Sequence, residues 1–315
     1  MSRLQIKYAY ISCLIVTVSS FMFLSPVIVN ANTANDSATL NRQVVESVSA
    51  RSAAHPSTTT KVTKWQAHIK AKLKRYLHAV TRDKTAAVSF YNLTPVKGSP
   101  AAKSTQAAVY QQGKLAVHAR GNHVTTFAST YKLYIAAYLM HLKQRHRFTW
   151  TKANRAGVTR MIVQSANDYP VSVLQKHGRT RINHWLASQN YYGKAFSTTR
   201  ATKTTANSLV KVLKDLHTGQ GAFTNRRDRK FILKQMGRQV YRRGIPTGAA
   251  RATKGTTVQD KVGFLADNNG DAGIVTLPNG QRYLLVILTW GRGQHGFSGY
   301  PRIARIAEHV QKIVY

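Results

Sequence analysis

Thr126-Phe127-Ala128-Ser129-Thr130-Tyr131-Lys132-Leu133-Tyr134-Ile135-Ala136-Ala137 sets a hydroxyl three residues before an amine. Downstream, Leu133, Ile135, Ala136, Ala137, Tyr138, Leu139 and Met140 are almost wholly apolar, which predicts a helix buried on most sides. Positions i and i+3 of a helix share a face, so Ser129 and Lys132 are expected to meet. Packing gives little reason for a lysine there, because charged side chains are seldom fully buried without a partner. Two plain alternatives remain for the pair alone. Ser129 could cap a helix, and Lys132 could reach water along its stem. Residues further along the chain bear on that choice.

A length of 315 residues suits one large domain or two small ones, and a hydrophobic content of 43% is enough for a sizeable core. Arg3 and Lys7 precede an apolar run from Tyr8 to Val29, and Val29-Asn30-Ala31 offers small residues for cleavage. Residues 1–31 are therefore expected to be a signal peptide, with an uncleaved membrane anchor as the alternative. Ser12, Thr17, Ser19, Ser20 and Pro26 interrupt the run and favour cleavage. Cys13 is the only cysteine, so the exported part has none to form disulfides or thiolate metal sites. Residues 32–60, rich in Ser, Thr, Ala and Asn, read as a disordered linker.

Lys and Arg number 47 against 10 acidic residues, a net charge of +37. Such a field attracts polyanions. For an exported protein, anionic cell-wall polymers are nearer partners than nucleic acid. The charge is spread along the chain and no zinc-finger or RNA-binding signature accompanies it, so no nucleic-acid role is expected. The 12 histidines form no His-x-His or His-Glu-x-x-His arrangement, and no metal or other cofactor is expected. His118 with His123, and His141 with His146, are five apart and off any shared helical face.

Periodicity orders the remainder. Lys61 to about Asp83 is helical, with Trp65, Ile69, Leu73, Tyr76, Leu77 and Val80 on one face. Strands follow at Ala86–Leu93 and Lys114–Ala119. A block of helices runs from Ser129 to about residue 240, with Asp168 as a helix cap and a breaker at Arg243-Gly244-Ile245-Pro246. Strands return at Val258–Leu265, Gly273–Leu277 and Gln281–Leu288, with turns at Asn268-Asn269-Gly270 and Asn279-Gly280. Residues 301–315 close with an amphipathic helix. The order predicts an α/β architecture: one antiparallel sheet, the terminal helices on one face, and a helical subdomain (about 129–240) on the other.

Three motifs line up along residues 61–315: Ser129-x-x-Lys132, Ser165-x-Asn167 and Lys261-Val262-Gly263. In this order and these contexts the chain resembles the serine β-lactamase and penicillin-binding protein superfamily, in its class A β-lactamase-like branch. The resemblance implies an exported, monomeric serine acyl-transfer hydrolase acting on β-lactams or D-Ala-D-Ala-type peptidoglycan peptides. It implies Ser129 as nucleophile, Lys132 as its proton acceptor and Ser165 as proton relay to the leaving nitrogen. It further implies Asn167, Lys261 and Gly263 at the substrate, and the backbone N–H groups of Ser129 and Phe264 as the oxyanion hole.

Departures from that family pattern are specific. Ala166 replaces the usual Asp of Ser-Asp-Asn, and Val262 replaces the usual hydroxyl residue of Lys-Thr-Gly. Class A enzymes resemble one another in a loop glutamate that activates the deacylating water. This chain has only Glu46 and Glu308, both far from the loop expected near Tyr191 to Thr199. The nearest acids in sequence, Asp168 and Asp215, read as a helix cap and a surface residue. Acylation without efficient deacylation is expected. The alternative is a catalytically impaired protein of the same fold that binds anionic wall polymers.

Overall fold

The apolar runs of the C-terminal quarter become a sheet buried on both faces. The computed structural model describes residues 58–126 and 128–315; the expected leader and nearly all of the expected linker lie outside these. Strands β1 (Ala86–Leu93), β2 (Val117–Ala119), β5 (Thr257–Leu265), β6 (Asn268–Thr276) and β7 (Arg282–Thr289) form one antiparallel sheet in the order β2-β1-β7-β6-β5. Short strands β3 (Thr125–Thr126) and β4 (Lys203–Thr204) pair separately. Strand β7 explains its unbroken hydrophobic reading. Tyr283, Leu285 and Ile287 join one core cluster, while Leu284, Val286 and Leu288 join the other.

Helix α1 (Thr58–Thr81) and the last helix, α9 (Tyr300–Val314), cover the first face. Ile69, Leu73 and Leu77 of α1 meet Ile303, Ile306 and Val310 of α9 there. The other face carries α2 (Lys132–Gln144), α3 (Lys152–Val163), α4 (Asp168–His177), α5 (Arg179–Ser188), α6 (Ala206–Thr218) and α7 (Arg226–Met236). Every residue of α2 from Lys132 to Met140 is buried. This is the expected α/β sheet with helices on both faces.

Four details differ from the sequence expectations. Trp65 is 43% exposed and takes no part in the core. Strand β2 is shorter than Lys114–Ala119, because the Asn92 side chain, not a neighbouring strand, accepts the Leu115 N–H at 2.8 Å. Asn268-Asn269-Gly270 is not a turn but the start of β6; the chain reverses at Ala266-Asp267, with Ala266 at φ +46°. Asn269 turns its amide to the following loop instead, donating to the Gly296 carbonyl and accepting from the Gly299 N–H. Finally, the breaker at residues 243–246 opens a helix, α8 (Ile245–Ala252). Proline suits a first helical turn, and Asp271 of β6 accepts the Ile245 N–H at 2.8 Å.

Candidate active site

Ser129 sits half-buried in a single 3-10 turn, Ala128–Tyr131, that runs directly into α2. Lys132 is the first residue of α2 and is wholly buried. Its Nζ donates to Ser129 Oγ at 2.7 Å, to the Ser165 carbonyl at 2.5 Å and to Asn167 Oδ1 at 2.7 Å. The i, i+3 relation thus survives across the join between the turn and the helix. Burial lowers the Lys132 pKa to about 8, opposed in part by the nearby carboxylate of Asp168.

Ser165 and Asn167 lie in the short connection between α3 and α4. Ser165 adopts φ +59°, a left-handed conformation that is uncommon for a residue with a side chain. That conformation presents its carbonyl to Lys132 and its hydroxyl to Lys261 of β5, whose Nζ donates to Ser165 Oγ at 2.7 Å. Lys261 is also wholly buried, and its Nζ donates to the Val262 carbonyl at 2.8 Å. Burial, then the charge of Lys132, hold the Lys261 pKa well below the usual lysine range. Asn167 is exposed at the start of α4.

Gly263, two residues beyond Lys261 on the same face of β5, closes the arrangement. A Cβ there would stand 2.9 Å from the Ser129 backbone nitrogen and 3.0 Å from that of Thr130. Only glycine lets strand and turn come this close. The Phe264 ring points to the other face, where it packs against Tyr241 and Phe297. Only its backbone remains on the Ser129 side. Val262 is wholly buried in the cluster beneath the terminal helices, so its side chain supplies nothing to the pocket.

The structure therefore joins Ser129, Lys132, Ser165, Asn167 and Lys261 by hydrogen bonds and sets Gly263 against Ser129. Two further groups carry no sequence signal. The Tyr300 hydroxyl donates to the carbonyls of Gly263 (3.1 Å) and Gly270 (3.2 Å), fixing β5 from below. Asp260, beside Lys261, is wholly buried with Asp271, and Arg242 donates to it at 2.6 Å. Neither could be found by motif, since each works through residues distant in sequence.

The two acids weighed as bases are placed differently from their sequence readings. Asp168 is not a helix cap: Asn167 occupies the cap position, and Asp168 pairs with Arg160 at 2.5 Å in the exposed first turn of α4. Asp215 is not a surface residue. It is 3% exposed and accepts hydrogen bonds from the Tyr191 hydroxyl and Lys211 Nζ, each at 2.7 Å. Among the described residues no carboxylate is hydrogen-bonded to Ser129, Lys132 or Ser165. Among them, too, no group of His, Cys, Asp and Glu could hold a metal ion. His123 stacks on Trp290 and His141 on Trp185. No helix of the described residues is long and apolar enough to cross a membrane.

Comparison with known proteins bears on the fold and the family. Similar solved structures include PBP-A, at 19% identity over 78% of this chain and 94% of that one, with a TM-score of 0.57. The TLA-1 extended-spectrum β-lactamase is 15% identical over 78% of this chain and 98% of that one, with a TM-score of 0.57. A β-lactamase from Xanthomonas campestris is 14% identical over 79% and 99%, with a TM-score of 0.60. At these identities the likeness concerns the fold. No curated protein sequence matches. The model of the Beta-lactamase enzyme family matches residues 155–314, half of the sequence, and reaches Ser165 and Lys261 though not Ser129. The chain belongs to the Beta-lactamase enzyme family, within the serine β-lactamase and penicillin-binding protein superfamily.

Proposed function

We propose that the protein is an exported serine acyl-transfer enzyme acylated at Ser129 by β-lactams or D-Ala-D-Ala-type wall peptides, with slow release of the acyl group. The observation that carries this reading is the 2.7 Å contact between the buried Lys132 amine and the Ser129 hydroxyl. A lysine with a pKa near 8 is neutral often enough at neutral pH to accept a proton. Ser129 Oγ attacks the amide carbonyl carbon and gives its proton to Lys132 Nζ. Backbone N–H groups of Ser129 and Phe264 receive the developing oxyanion; each such donor contributes about 3 kcal/mol. The C–N bond then breaks, and the nitrogen takes the Ser165 hydroxyl proton. Lys261, already donating to that hydroxyl, returns a proton to Ser165. Passage of the extra Lys132 proton to the neutral Lys261 amine, by way of Ser165 between them, restores both lysines; in net, one C–O bond forms, one C–N bond breaks, and one proton passes from serine to amine.

Asn167 borders the opening and offers its amide to the substrate. Lys261 acts on a substrate carboxylate through its field, since two of its N–H bonds are given to Ser165 and Val262. Slow deacylation is expected because, among the described residues, no carboxylate is hydrogen-bonded to the cluster. A PBP-A variant of the same fold has been captured as an acyl-enzyme complex with penicillin G. Intact-mass measurement after penicillin treatment tests the reading. One adduct on Ser129, persisting for hours and absent from Ser129→Ala, is expected. A folded wild-type protein without any adduct would defeat it and leave the binding-protein alternative.

A further inference from the structure

On the far side of the sheet from Ser129, the end of α1, the start of α9 and the loop 291–299 enclose a cleft of about 750 Å³. This volume is in the range of small-ligand sites, about 300–1,000 Å³. Its charged lining is four arginines, Arg82, Arg292, Arg302 and Arg305, against a single carboxylate, Asp83; Tyr76, Gln294, His295 and Ser298 are its other polar side chains. We infer that this cleft is a binding site for the phosphate groups of a linear phosphodiester polymer, separate from the acylation site.

The charge within the cleft is organised, unlike the lysines scattered over α1. Asp83 is shared by Arg292 and Arg302, and loss of water at its carboxylate is outweighed by hydrogen bonds from Arg292 and Thr85, which hold its pKa well below the usual carboxylate range. Arg302 also donates to the Thr85 hydroxyl at 2.8 Å and to the Val80 carbonyl at 3.0 Å. These bonds fix two guanidinium groups before any ligand arrives. Arg82 and Arg305 are exposed and have no ion-pair partner among the described residues. Four arginines against one aspartate leave a formal surplus of three positive charges in a concave space. Burial and the charge of Arg292 both depress the Arg302 pKa, with Arg305 adding to the effect; the cations crowd one another. An anion relieves that crowding, and the forked guanidinium matches phosphate oxygens in a way that a lysine amine does not. A linear polymer suits the cleft because it is open at the surface and one phosphate cannot neutralise three charges. The inference rests on the export expected for this chain and is independent of acylation.

The test uses the full exported chain, with a poly(glycerol phosphate) chain as probe, at fixed near-physiological salt. Arg82→Gln with Arg305→Gln removes two charges from the cleft; Lys72→Gln with Lys74→Gln removes two from the exposed side of α1. The cleft variant is expected to bind at least about tenfold more weakly, the control to change by less than about twofold. Equal losses in both variants would mean diffuse adsorption and overturn the inference, as would unchanged binding by the cleft variant. Poly-L-glutamate bound as tightly as the phosphate polymer would overturn the phosphate assignment. Arginine-dependent binding to phosphatidylglycerol vesicles without binding to the soluble polymer would make the cleft a membrane contact and also overturn it. Penicillin labelling is read on the same samples. Lost labelling with intact polymer binding defeats the acylation reading alone.

Discussion

Gly263 has no side chain to contribute, and the site depends on that. A methyl group there would press on the backbone nitrogens of Ser129 and Thr130, which belong to a buried turn and cannot swing aside. Gly263→Ala is therefore expected to slow acylation by on the order of a hundredfold and to destabilise the fold by about 1–3 kcal/mol; rapid-quench labelling and thermal melts read the two effects. Lys132 gives the pH dependence. Only its neutral form accepts a proton, and burial has brought its pKa down to about 8. The acylation rate should rise with pH through that value and level off above it, with the rate at pH 7 about tenfold below the plateau. Lys132→Met should lose the rise and about 10²–10⁴ of the rate; a flat wild-type profile would remove Lys132 from the role of base. Ser129, Lys132, Ser165, Asn167 and Lys261, which the structure joins by hydrogen bonds, could be read from sequence because their relation is either one helical turn or a short motif in known order. Tyr300, which holds Gly263 from beneath, could not: its partners are 37 and 30 residues away, and no spacing rule links a tyrosine to two strand carbonyls.

Strand β5 carries Lys261 toward the site and Asp260 away from it, and the second direction anchors the strand. Asp260 and Asp271 are fully buried side by side beneath α8, where Arg242 donates to one and the Ile245 N–H to the other. Burial raises both carboxyl pKa values, that of Asp260 well above the usual carboxylate range and that of Asp271 to about 6. The folded protein therefore binds the Asp271 proton more tightly than the unfolded chain does. Its contribution to stability is complete below the ordinary value of 3.8 and is lost as pH rises through about 6. Asp271→Asn can still accept from Ile245 while donating to Asp260 without needing the proton. The stability difference between wild type and this variant should shrink or reverse in the variant's favour from pH 4 to 6, measured by denaturant unfolding at each pH. A constant difference would mean that the pair does not titrate there. The same region shows where sequence reading fails for elements. Arg243-Gly244-Ile245-Pro246 looks like a stop because Gly and Pro break helices locally, yet here they open α8, whose first N–H is satisfied from β6. Asn268-Asn269-Gly270 looks like a turn for the same local reason, while the tertiary bonds of Asn269 hold it in a strand. Long periodic elements such as α1, β1 and α9 were legible because burial imposes its period on many residues at once.

For the whole molecule, charge opposes compactness. Ten acidic residues face 47 Lys and Arg, and the described residues contain seven ion pairs, of which several are exposed and contribute little. With no cysteine beyond Cys13, packing on the two faces of the sheet must hold the fold against this repulsion. Repulsion between surface charges acts over about 30 Å at 0.01 M salt but only about 3 Å at 1 M. Adding sodium chloride should therefore stabilise the protein, because it weakens the many repulsive pairs more than the few attractive ones. A rise in melting temperature of about 2–4 °C is expected for each kcal/mol of repulsion relieved. The expected total between about 0.01 and 0.5 M is several degrees. The same salt should leave the acylation rate at Ser129 little changed, since Lys132 and Lys261 are buried and screened far less than surface groups. A melting temperature that stays level or falls over this range would show that the excess charge is already compensated within the folded chain. The arginine cleft would then be the first place to look for a bound anion.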